Sequence, residues 1–312
     1  MPDSPEPVSG AQAGGSHASG PATLSATRLV YWSVLRELWE HRWLYIAPLI
    51  VAAVFLVGFV IAASRFPFPL PLNAQLTAHS LAHQLEEPFD FASAALMLTY
   101  VVVAVIYCLA ALHGERSDRS ILFWKSLPVS NTTAVIAKAC IPIVLLPLIT
   151  FATIVATQII MLLAGSAVLL GRGIGVEALW AQIPVLPMWA AMLYHLVTMH
   201  ALYWAPFYGW LLLASAWARR AALLWAGVPV AAVLIIEKLV FNTSAFGHML
   251  LSQLGGGPAA IPFPPPENMT MQAPTLANLG AFLASPGLWV GLAVCAIFLA
   301  AAAHLRKYQG PI

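Results

Sequence analysis

The chain has 312 residues, 61% of them hydrophobic and 8% charged, with a net charge of +2 and a mean hydropathy of +0.84. A soluble domain carries roughly a quarter of its residues as charges, so water is excluded as the main solvent and lipid must take the place of a charged coat. Nothing in so small a net charge calls for a nucleic-acid partner.

Residues 1–24 are rich in Gly, Ser, Ala and Pro and short of large apolar side chains, so they read as a disordered tail. No basic region followed directly by an apolar one marks a cleavable signal peptide. Leu24 to Arg42 then shows helical periodicity, with Tyr31, Trp32, Leu35, Leu38 and Trp39 on one side and Ser33, Arg36, Glu37 and Glu40 on the other. Residues 25–42 read as an amphipathic interfacial helix on the inner membrane surface; a plain extension of the first span is the alternative.

A bilayer core of about 30 Å takes about 20 apolar residues as a helix. Six stretches in the domain 43–312 meet that length: Trp43 to Ala63, Phe91 to Leu112, Cys140 to Leu163, Met188 to Leu213, Ala221 to Phe241, and Gly287 to Ala303. Pro142 and Pro147 fall inside the third, as membrane helices tolerate. Of the 14 Lys and Arg, only Arg65, Arg172 and Lys238 fall on one side; Arg28, Arg36, Arg42, Arg116, Arg119, Lys125, Lys138, Arg219, Arg220, Arg306 and Lys307 fall on the other. Cytoplasmic flanks carry that excess. The expected architecture is therefore an all-α integral membrane protein with six transmembrane helices and both termini cytoplasmic. Cys108, Cys140 and Cys295 lie within or at the edge of apolar spans and read as packing residues.

On the outer side, Ser64 to Asp90 opens with prolines and closes with a short helix bearing His79, His83 and Glu86 at metal-like spacing. A solvated helix face is the plainer reading. The loop from Asn242 to Ser285 has a break from Gly255 to Pro258 and a run from Pro262 to Pro266 suited to extended geometry.

The inner loop between spans two and three, GERSDRSILFWKSLPVSNTTAV from Gly114 to Val135, mixes charge with bulk. Glu115, Arg116, Asp118, Arg119 and Lys125 are expected in solvent, Ile121, Leu122, Phe123 and Trp124 sit among them, and Ser130 is placed to cap the next helix. Aromatic residues flanked by charge make an interface anchor, or else a segment lying in the headgroup layer. The run Gly114 to Ser130 resembles the segment after the second span in permease subunits of ABC-2 type transporters, although Asn131 stands where many relatives have an acid. APFYGWLLLASAWARRAALLWAGVP, Ala205 to Pro229, is similar to that family's fourth span, basic turn and start of the fifth. The resemblance implies six spans, inside termini, a location in the cell inner membrane, and a coupling element 114–130 bearing Glu115, Asp118, Phe123, Trp124 and Leu127. It also implies a separate ABC ATPase that holds ATP and Mg, a second permease chain, and export as the direction.

No GxxxxGK[ST] run occurs, so the chain is expected to be no enzyme, with no cofactor and no catalytic residue of its own. Intramembrane polar residues are the usual pointers to a path. Thr150, Thr153 and Thr157 share a face of span three beside Gln158. Span four carries His200, Tyr203, Trp204 and Phe207 at i, i+3, i+4 and i+7, with His195 a turn and a half earlier. Both groups read as candidate path residues for an amphipathic cargo, with helix packing as the plainer alternative. Two other readings stay open: a proton-coupled secondary transporter using His195, His200 or Glu237, and a metal-dependent intramembrane enzyme using the histidines.

Overall fold

A computed structural model of the chain describes residues 26–65, 78–126, 130–171, 173, 176, 180, 183–254 and 276–310, with the side chains of 26, 78–86, 126 and 276–278 left aside. The predicted tail, Leu127, and the side chains of His79, His83 and Glu86 thus lie outside the described set. Among the described residues every regular element is a helix. Six helices are long and apolar enough to cross a membrane, so the chain is a multi-pass, all-α membrane protein.

The amphipathic segment forms α1 (Ala26–Glu40). It is separate from the first span, because the chain turns at His41 and Arg42 before α2 (Trp43–Arg65) begins. The second span is α3 (Ala78–Ser117), which outruns the apolar stretch at both ends. The helix expected to carry His79 and His83 is therefore the start of this long helix and no separate element. At Arg119 the backbone takes a left-handed conformation, φ 63°, and the chain turns into α4 (Ser120–Ser126). Asp118 Oδ1 accepts from the Ser120 amide (3.1 Å) and hydroxyl (2.8 Å), capping that turn.

The third span is longer than its apolar run. It comprises α5 (Asn131–Cys140), a π-helical turn Ile141–Leu145, and α6 (Leu146–Gly171). Ser130 caps it, accepting from the Thr133 amide at 3.0 Å. The π turn has a covalent cause. The Leu146 amide bonds to Ile141 O, so Pro142 O loses its α-type partner; its π-type partner would be the nitrogen of Pro147, which carries no hydrogen. The fourth span likewise joins α7 (Val185–His195), a π-helical turn Leu196–Tyr203 and α8 (Ala205–Trp217), with a break at Trp204 before Pro206. The fifth is α9 (Ala222–Ile236) with a π turn Glu237–Phe241. Two short helices, α10 (Ala245–Leu254) and α11 (Leu276–Ala284), precede the sixth span, α12 (Pro286–Tyr308).

α8 sits between α3 and α12. Its approach to α12 is close at Gly209, where an added Cβ would meet Cys295 Cα and O at 3.3 Å; small residues at such crossings let backbones approach. One core gathers around Leu44, Tyr100, Tyr107, Tyr208 and Leu212, and a second around Phe89, Met97, Ile154, Met188 and Met192. Leu49, Ile50 and Val54 of α2 and Leu223, Leu224 and Val228 of α9 are exposed, which in hydrocarbon costs nothing.

Candidate functional site

Four ionised side chains are buried together where α1, α3, α5 and α12 meet. Glu37 is 1% exposed, Lys138 2%, Arg306 5% and Glu115 7%. Lys138 Nζ lies 2.8 Å from Glu37 Oε1 and 3.1 Å from Glu115 Oε1. The other Glu115 oxygen takes Arg306 Nη2 at 2.9 Å, and Arg306 Nη1 donates to Asn131 Oδ1 at 3.0 Å. Tyr107 donates to Glu37 Oε2 at 2.9 Å. Buried charges persist only when paired and hydrogen-bonded, and here each carboxylate oxygen has a donor. Burial alone would raise the carboxyl of Glu37, but Lys138 and then Arg36 outweigh it and hold it down at about 2.

The described part of the segment expected to couple, Gly114 to Ser126, starts from this cluster. Glu115 and Arg116, expected in solvent, are both buried: Glu115 between the two cations, and Arg116 donating to Ala216 O (2.7 Å) and Ala218 O (3.1 Å) at the end of α8. The correction has a physical cause, since these residues still belong to α3, whose last turn packs among neighbouring helix ends. Asp118, Arg119 and Lys125 are exposed as expected.

The two predicted anchor aromatics pack edge to face, 4.9 Å between ring centroids, and differ in burial. Trp124 is half-buried under the Arg36 guanidinium, 3.7 Å from ring centroid to Cζ. Phe123 is 60% exposed and Leu122 59%. Lys125 Nζ donates to Gln309 O (2.8 Å) and Lys307 O (3.3 Å) at the end of α12.

Glu37, Lys138, Arg306 and Tyr107 were missed as members of a site. Glu37 falls on the polar side of a helical wheel and Lys138 counts as one more inner basic residue. The available signal was one lysine and one arginine, each a few residues from an apolar run, opposite two acids able to neutralise them.

The candidate path residues lie on separate elements, buried except for Phe207, which is half-buried. Thr150, Thr153 and Thr157 lie on the inward face of α6. Thr153 and Thr157 donate to their own helix, at Ile149 O (2.8 Å) and Thr153 O (2.7 Å). Gln158 joins three helices by donating to Ser93 (2.8 Å) and accepting from Trp189 (2.6 Å). In span four the π turn changes the register: i and i+5 stack there, so His195 and His200 come to 5.0 Å between centroids, followed by Trp204 at 5.0 Å and Phe207 at 6.2 Å beyond it. Tyr203 packs on Phe282 instead. His200 Nδ1 is buried without a hydrogen-bond partner among the described residues.

Beside them, Tyr100 and Tyr208 share a hydroxyl contact of 2.8 Å, and Tyr100 reaches Pro142 O (2.9 Å) and His200 O (3.1 Å). Both carbonyls belong to π turns. The Trp204 amide turns to Met199 O and leaves His200 O to the tyrosine.

Fold and charge cluster define a multi-pass helical membrane protein in which the helix ends on one side are locked around buried ion pairs. No protein-family model, no curated protein and no solved structure matches the chain.

Proposed function

We propose that this chain is the membrane-spanning permease subunit of an ATP-driven ABC-2 type transporter. In this reading it is an exporter in the cell inner membrane, paired with a second permease chain and driven by a separate ABC ATPase that holds ATP and Mg. The observation that carries the reading is α4. It presents Leu122 and Phe123 outward beside Asp118 and Arg119, while Ile121 is buried, Trp124 lies under Arg36 next to the buried cluster, and Lys125 holds carbonyls at the end of α12. An exposed aromatic and aliphatic pair rimmed by charge is the composition of a docking hot spot. A rigid root beneath it is what the transmission of a push requires. The ring stack His195, His200, Trp204 and Phe207 is the candidate wall of a path for an amphipathic cargo.

The test is purification from native membranes in mild detergent with mass spectrometry of what co-purifies. Wild type brings down an ATPase, and Leu122→Ala with Phe123→Ala loses it while the protein stays monodisperse. Absence of any ATPase from wild type across several detergents ends this reading.

One observation favours a second reading, a proton-coupled secondary transporter: the unpartnered Nδ1 of His200 in the bundle interior, since ionisable groups at such depth mark proton relays. Proton-driven flux in liposomes without ATP, lost in His200→Phe, would establish it.

A further inference from the structure

The contacts around α4 close into a circuit. On one arm, Trp124 lies under Arg36, and Arg36 pairs with Glu37 at 2.8 Å. On the other, Lys125 grips carbonyls just beyond Arg306, and Arg306 holds Glu115. The arms run through different helices, α1 and α12, and both end on Lys138, which Glu37 and Glu115 share.

Lys138 stands three residues before the π turn Ile141–Leu145. Packing divides at that turn. α5 rests on α1 and α12, the two helices that carry the arms, whereas α6 beyond it rests on α2 and α3. The turn itself is short of axial hydrogen bonds, because Pro142 and Pro147 contribute no N–H and Pro142 O is held sideways by Tyr100.

We propose that Lys138 is the positioning residue at which displacement of α4 is delivered to the third span, with α5 as the lever and Ile141–Leu145 as its hinge. The source of the displacement rests on the ATPase reading above; the lever and hinge do not. Because Glu37 and Lys138 carry opposite charges, replacing both by neutral groups breaks the circuit without stranding a buried ion. Glu115 keeps Arg306, and Tyr107 keeps an acceptor in a glutamine at 37.

The test places spin labels across the hinge, Thr132→Cys on α5 and Leu148→Cys on α6, both at exposed positions, in a Cys140→Ser background whose other cysteines, Cys108 and Cys295, are buried. In the complex with its co-purified ATPase, Mg-ATP shifts the distance between labels, and Glu37→Gln with Lys138→Met abolishes that shift while the ATPase still co-purifies. An equal shift in the double variant overturns the proposal. In liposomes without any ATPase, the double variant broadens the distance distribution relative to the Glu37 and Lys138 parent. Identical distributions overturn the lever whatever the ATPase does. Broadening in a protein that never recovers an ATPase sinks the transporter reading alone.

Discussion

At the level of single residues, Glu37 shows how burial and pairing compete. Desolvation favours the neutral acid, yet Lys138 at 2.8 Å and Arg36 at 2.8 Å favour the anion, and the carboxyl ends at about 2 against an ordinary 4.5. A depressed folded value means that the folded state binds the proton less readily than the unfolded chain. The pair therefore contributes stability that is complete above pH 4.5 and disappears as pH falls towards about 2. The amount is on the order of 3 kcal/mol. Thermal unfolding of the purified protein in mild detergent is expected to weaken over that acid window in wild type and less steeply in Glu37→Gln, which starts from a lower midpoint. A wild-type curve no steeper than the variant's would remove Glu37 as the acid-sensitive group. The pairing itself was illegible from periodicity, because a helical wheel sorts residues by polarity and puts an acid on the solvent side unless its partner is known. That partner lies 101 residues away on another helix.

At the level of elements, the six spans were legible because hydrocarbon leaves a long apolar run little choice but a helix. Their limits were not. α3 and the third span extend past the apolar runs since the helix ends beside the ion-pair cluster are held by Arg116, Ser130 and Lys138, polar residues that hydropathy counts as loop. The π turns were also hidden, although Pro142, Pro147 and Pro206 stood in plain sight, because proline shows where an amide is missing and not how the freed carbonyl is satisfied. Tyr100 supplies that answer and makes a testable pair with Pro147. Tyr100→Phe leaves Pro142 O without its donor, at a cost of about 1–3 kcal/mol for an unsatisfied buried group. Pro147→Ala restores the amide that a π-type bond to Pro142 O needs. In unfolding measurements of both single variants and the double, Tyr100→Phe is expected to cost less in the Pro147→Ala background, with a coupling on the order of 1 kcal/mol. Strict additivity would show that the hydroxyl serves His200 O instead.

At the level of the whole molecule, the two ends differ in kind. One carries the buried ion pairs, the α4 corner and the ends of α8 and α12; the other carries the short helices α10, joined to span four by Gln253 donating to Tyr203 O (2.6 Å) and Trp204 donating to Leu254 O (3.0 Å), and α11, which meets it through Phe282 on Tyr203. Glu237, a candidate of the proton-coupled reading, accepts from the Phe246 amide at 3.0 Å and so fixes where α10 starts. Lys and Arg crowd the α4 end, and such an excess is retained on the cytoplasmic side during insertion. If so, a thiol placed at Phe123 faces the cytoplasm and one placed at Thr243 faces outward, both being exposed in the fold. A membrane-impermeant maleimide on intact cells is expected to label Thr243→Cys and to reach Phe123→Cys only after permeabilisation. The reverse pattern would invert the molecule, put α4 out of reach of any cytoplasmic ATPase, and leave the transporter reading without its docking site even though every helix and ion pair stayed as described.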